Sequence, residues 1–120
     1  MSKLVYVACP YGHPERSVID YRMKAFYAVD AHLTNLGMFV ASPMNKIHMV
    51  ETHNIHSSWS FLEEYSYELL AKCSKIIVIE IDGWKESIGV QAEITFAKKN
   101  NISVEYINPE NFRRYTDERN

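Results

Sequence analysis

Ser87 and Glu93 stand six positions apart, just after the loop Asp82-Gly83-Trp84-Lys85-Glu86, on what reads as the first two turns of a helix. A hydroxyl and free backbone N–H groups at a helix start can face an anion such as a phosphate. Two turns on, Glu93 borders the stripe Val90, Ile94 and Ala97, which places its carboxylate between core and cleft. There it can act as a nucleophile toward an electrophilic sugar carbon or as a base, its reactivity tuned by partial burial. Each residue also has a plainer reading, Ser87 as a helix N-cap and Glu93 as solvated surface.

A second group, Tyr11, Gly12, His13 and Arg16, follows the first apolar run. Gly12 permits close backbone approach to a ligand, and Arg16 or Arg22 can offer a bidentate fork to a phosphate; a simple turn with surface charges is the alternative. His48, His53 and His56 match no standard metal spacing and have no cysteine nearby, so no metal site is expected. Cys9 would need an adjacent base to be a nucleophile and reads better as a buried structural thiol.

The elements that must position these residues follow from the hydrophobic pattern. Lys3 to Cys9 is a strand that halts at Pro10-Tyr11-Gly12-His13-Pro14. Ala25, Ala28, Val29, His32, Leu33 and Leu36 trace a helix face, with Gly37 in the place of a C-terminal glycine. Met38–Ala41 reads as a second buried strand, and Asn45–Ser58 as a lid-like loop or short helical turns. Phe61, Leu62, Tyr65, Leu69 and Leu70 predict a helix from Trp59 to near Lys72. Ile76–Ile81 is apolar almost throughout and belongs in the sheet centre. Val90, Ile94 and Ala97 mark another helix, Ser103–Ile107 a last strand, and 108–120 a polar tail that adds a short helix or frays. Strands alternating with helices imply parallel strands and right-handed crossovers. The expected fold is therefore a small doubly wound, flavodoxin- or Rossmann-like α/β domain, with four to five parallel strands and helices on both faces. In such sheets ligands bind beyond the carboxyl ends of the strands, which singles out Cys9–Arg16, Ser42–His48 and Asp82–Glu93.

Composition sets the outer bounds. The 120 residues carry 13 Lys+Arg against 15 Asp+Glu, 47% hydrophobic and 23% charged residues, which is ordinary globular usage for one domain. A net charge of −2 supplies no broad basic surface, so a nucleic acid polymer is not an expected partner. The N-terminal apolar run is too short for a signal peptide or a membrane span, and two cysteines 64 apart form no disulfide framework. A cytoplasmic setting with reduced thiols is the expectation.

Taken together, Tyr6-Val7-Ala8-Cys9-Pro10-Tyr11, Ser42-Pro43 and Gly83-Trp84-x-x-Ser87-x-Gly89-Val90-x-x-Glu93-Ile94 resemble the nucleoside 2-deoxyribosyltransferase-like superfamily. The resemblance is greatest to its 2'-deoxynucleoside 5'-phosphate N-hydrolase branch and extends over roughly residues 3–107. In that branch the pattern is Ser-x-Gly-Val-x-x-Glu, matched by Ser87-Ile88-Gly89-Val90-Gln91-Ala92-Glu93. The resemblance implies that Glu93 attacks the anomeric carbon, that Ser87 and Gly89 hold the 5'-phosphate together with the Tyr11-Gly12-His13-Arg16 loop, and that no cofactor is needed. It also implies a homodimer or larger assembly acting on a small nucleotide. Trp59, Tyr65 or Trp84 would contact the base. The family's Asp on the helix before the central strand, which assists proton delivery to the leaving base, falls on Ser66 here, and serine supplies no carboxylic proton near neutral pH. The candidate catalytic set is thus Glu93, Tyr11 and Ser66. Three outcomes follow from Ser66: Glu63, Glu64 or a tyrosine substitutes, the base is one that leaves more readily, or the site binds without efficient turnover. Deoxyribosyl transfer between bases and non-catalytic nucleotide binding are the competing functions. A flavodoxin-like electron carrier fits less well, because the first loop is not rich in Ser or Thr.

Overall fold

Leu4–Ala8 forms β1, and the near-continuous apolar run Lys75–Ile79 forms β3 beside it. In the computed structural model, which describes residues 3–115, these two strands are the middle of a four-stranded sheet ordered β2-β1-β3-β4, where β2 is Phe39–Ala41 and β4 is Ser103–Ile107. Every pairing is parallel, with Tyr6 opposite Ile76 and Val78 opposite Tyr106. Four helices flank the sheet: α1 (Arg16–Asn35), α2 (Met44–Thr52), α3 (Trp59–Leu70) and α4 (Ile88–Lys99). None is long and apolar enough to cross a membrane.

Strand alternation divides the core in two. Val5, Val7, Ile77 and Ile79 pack against Phe26, Val29 and Leu33 of α1, whereas Tyr6, Ala8, Ile76 and Val78 pack against Leu70 of α3 and Val90, Ile94 and Ala97 of α4. A 3-10 segment, Pro109–Tyr115, is broken at Phe112, whose ring is buried on the α1 side beside His32. Residues 116–120 of the expected tail lie outside the described residues. The parallel sheet with covered faces is consistent with a doubly wound, Rossmann-like arrangement.

Gly37 ends α1 as the pattern predicts. At φ +85° it lets its own N–H reach Thr34 O at 2.9 Å and the Met38 N–H reach Leu33 O at 3.0 Å, the Schellman pairing that satisfies the last carbonyls. Leu36, counted in the apolar face of this helix, is exposed at its C-cap. The second strand is not the buried strand expected: β2 is a sheet edge, and Phe39 is 63% exposed. Of the two readings of the next stretch, lid-like loop or short helical turns, the structure shows the helical one at its start, as the nine-residue helix α2 entered through Pro43. On α3 the buried positions are Ser66 and Leu70, and Phe61 faces outward.

From β1 the chain crosses to β2 on one side, and from β3 to β4 on the other. The order therefore reverses between β1 and β3, and the loops leaving their carboxyl ends diverge there.

Candidate functional site

At that divergence lies a cleft of about 700 Å³, walled by the loop after β1, by α2 and α3, and by the N-terminal turns of α4. The buried polar or charged side chains of the described residues are Arg22, Ser66 and Glu93, and all three line it. Buried polar groups are costly unless paired, so their convergence on one cleft marks it out. A hollow of about 600 Å³ on the outer face of α4, between Tyr67 and Lys99, contains none of the three.

Glu93 follows the Val90 turn of α4 and is 7% exposed. Its Oε2 accepts a 2.6 Å hydrogen bond from the Tyr6 hydroxyl, which reaches it from the sheet because even-numbered residues of β1 face α4. Burial pushes the Glu93 carboxyl up to about 7, and the Tyr6 hydrogen bond opposes that rise. Tyr6 itself is held well above the usual phenol range, first by burial and then by the Glu93 charge, while a hydrogen bond from Ser66 opposes the shift. Tyr6 thus keeps its proton and donates it, and Glu93 is poised to change charge near neutrality. Ser66, one α3 turn beyond Leu62, is 6% exposed and donates to the Leu62 carbonyl at 2.9 Å.

Ser87 caps α4, its Oγ accepting from the Val90 N–H at 3.2 Å. The first-turn amides of Ile88 and Gly89 have no intrahelical acceptor by helix geometry, and both residues line the cleft. The Trp59 ring closes over this end: a Cβ built on Gly89 would stand 3.4 Å from Trp59 Cη2. The indole is 53% exposed and forms part of the cleft wall, a surface on which a flat ring can lie. At the α2 end, the Tyr11 hydroxyl and His48 Nδ1 are hydrogen-bonded at 2.9 Å. Burial and then the Glu51 charge raise the Tyr11 phenol.

Tyr11, Gly12, Arg22, Trp59, Ser66, Ser87, Gly89 and Glu93, singled out from sequence, share this cleft. Four others do not line it. His13 turns back to accept the Glu15 N–H at 3.0 Å, and Arg16 pairs with Asp20 at 3.1 Å on the exposed side of α1. Tyr65 lies under the Lys46 ammonium, and Trp84 packs against Tyr106. Arg22 does line the cleft, but its guanidinium donates to the carbonyls of Gly12 and Asp82. Cys9 is a buried thiol pushed up to about 12 by burial, against the opposing Arg22 charge, so it is unsuited to nucleophilic attack. Among the described residues no three His, Cys, Asp or Glu side chains form a group able to hold a metal.

Sequence reasoning missed Tyr6 and Glu51 as site residues and took in Glu86 only as part of the span Asp82–Glu93. The signal for Tyr6 was strand parity: one polar tip in an apolar run, on the face that meets α4. Glu51 lay in a stretch without readable period, and Glu86, in the loop before α4, reads as ordinary loop charge although it lines the cleft.

No curated protein matches the chain. Residues 3–108 match the family described as a domain of unknown function, DUF1937, and because that span takes in all four strands and helices α1 to α4, the chain belongs to the DUF1937 family.

Proposed function

We propose that this protein is an N-glycosidase that hydrolyses a nucleoside 5'-monophosphate, of the deoxy class, to free base and sugar phosphate. The observation that carries the reading is Glu93: a carboxylate at the base of a ligand-sized cleft, hydrogen-bonded by Tyr6 at 2.6 Å and placed where a parallel sheet gathers its ligands. In the first step Glu93 attacks C1' of the sugar as the bond to the base breaks. The base leaves with the bonding pair and takes up a proton. Water then attacks C1', releasing sugar phosphate and the Glu93 carboxylate, and gives its second proton to solvent. Tyr6 steadies the ionised carboxylate before and after attack. The Ile88 and Gly89 amides and the Ser87 hydroxyl take the phosphate, Trp59 takes the base, and His13 and Arg16 have no part.

The same site supports a second reading, nucleotide binding without efficient turnover, favoured by Ser66 where a proton-delivering acid would stand. A homodimer or larger assembly also belongs to the proposal, and Ile88, 78% exposed on the cleft wall, supports it; light scattering would test the mass. The deciding experiment incubates the protein with ribo- and deoxynucleoside 5'-monophosphates and follows free base by chromatography, beside Glu93→Ala. Release that disappears in the variant is expected. No release from any substrate, with binding still measurable by calorimetry, refutes hydrolysis and leaves the binding protein. Base exchange on adding a second free base would instead mark a deoxyribosyltransferase.

A further inference from the structure

Arg22 is 7% exposed and meets no carboxylate among the described residues. Its Nη1–H donates to the Gly12 carbonyl at 2.8 Å, in the loop after β1, and its Nη2–H to the Asp82 carbonyl at 3.3 Å, in the loop after β3. Its Nε–H is buried without an acceptor among the described residues. Beside it Gly83 has φ +95°, and a Cβ there would stand 2.5 Å from Nη2. The guanidinium therefore occupies space that exists only because residue 83 has no side chain. No backbone hydrogen bond among the described residues joins the two loops, although they leave adjacent strands and form facing parts of the cleft.

We propose that Arg22 is a positioning residue that clamps these two loops together, fixing Tyr11 and Gly12 relative to the segment from Ser87 to Glu93, and that it is not a ligand of the substrate phosphate. Planar fork geometry explains the residue type: one guanidinium can donate in two directions at once from a fixed frame, whereas an ammonium on a flexible stem cannot hold both carbonyls equally. What the clamp serves rests on the glycosidase reading, but the clamp itself rests on contacts alone.

Hydrogen exchange of the full chain, read by mass spectrometry over residues 10–15 and 80–87, tests it. Arg22→Met should exchange faster in both loops by about tenfold or more, as expected for the loss of hydrogen bonds from a charged donor. Arg22→Lys should restore protection in one loop only. Gly83→Ala, which keeps Arg22 but displaces its fork, should loosen chiefly 80–87. Unchanged exchange in both loops of Arg22→Met, or in Gly83→Ala, overturns the clamp; should Arg22→Met fail to fold, the other two variants decide. For base release from nucleoside 5'-monophosphates, a positioning role predicts a fall in kcat of about tenfold or more in Arg22→Lys, with KM within about twofold. A raised KM at unchanged kcat overturns the proposal in favour of a phosphate ligand. Absence of base release by the unsubstituted protein counts against the glycosidase alone, and the exchange results still decide Arg22.

Discussion

Replacing Glu93 with Gln should change how stability depends on pH, whatever reaction the cleft performs. The folded chain holds the Glu93 carboxyl at about 7 against an ordinary 4.5, because burial disfavours the charge. At about 1.4 kcal/mol per pH unit, ionising Glu93 in the folded protein is about 3 kcal/mol less favourable than in the unfolded chain. Its pKa is raised on folding, so between pH 4.5 and about 7 the folded chain keeps a proton that the unfolded chain has lost, and stability falls as pH rises. Above about 7 the fall is complete. A glutamine side chain has nearly the same shape and no proton to lose, so the variant escapes this slope, while every other titrating group is shared. Urea titrations of both proteins at pH 5, 6, 7 and 8, compared through their midpoints at equal slope, should show Glu93→Gln gaining about 2.5 kcal/mol on the unsubstituted protein across that range, the rest of the effect lying below pH 5. A difference that stays constant with pH to within about 0.5 kcal/mol would refute the reasoning. It would mean that Glu93 ionises as freely as a surface carboxylate and that the base of the cleft is wet.

Tyr6→Phe removes the hydrogen bond that opposes the burial effect. A charge-assisted hydrogen bond contributes about 1.5–3 kcal/mol, so the acid limb of base release against pH should move up by about one to two units, and a limb unmoved within about 0.3 units would deny Tyr6 this role. Ser66→Asp puts a protonatable group beside Tyr6 and Glu93; on substrates with poorly leaving bases it should raise kcat near pH 6 by about tenfold or more, while lowering the urea midpoint. Unchanged kcat in a folded variant would show that Ser66 is not the position from which a proton can be delivered. Trp59→Ala, made in the Glu93→Gln background so that ligand persists, should weaken nucleotide binding by about five- to a hundredfold in calorimetry, and an unaltered affinity would remove Trp59 from the base site.

The fold was legible wherever burial imposes a period. Ile76–Ile81 reads as a central strand because both of its faces are covered, and Val90, Ile94 and Ala97 read as a helix because only one face is. Met38–Ala41 misled because a short apolar run looks the same at an edge as in the middle; strand order, which a single sequence does not display, put β2 at the edge. The α2 segment stayed open between loop and helical turns for the opposite reason. With only Met44 and Val50 buried along nine residues, it leaves too little apolar contrast to betray a helix. Ser87 and Glu93, which line the cleft, stood out in the sequence because a cap and a carboxylate two turns later are local features. The Tyr6 partner and the Arg22 clamp arise from contacts 87 and 60 residues apart in sequence, and no local pattern carries them.

Arg22, Ser66 and Glu93 also argue together. Each breaks the rule that a small core should be filled with apolar side chains, and among the described residues neither Arg22 nor Glu93 meets an opposite charge: Arg22 donates to two loop carbonyls, Glu93 accepts from Tyr6, and Ser66 Oγ donates to the Leu62 carbonyl. Well-packed apolar residues of similar volume at buried charged sites are often neutral or stabilising, so stability alone would not select a carboxylate and a guanidinium here. Departures from local consistency collect where function requires them. These three come from α1, α3 and α4, on both faces of the sheet, and meet only at the carboxyl ends of β1 and β3. Their convergence on one cleft from three helices is the observation that any function proposed for the site has to explain.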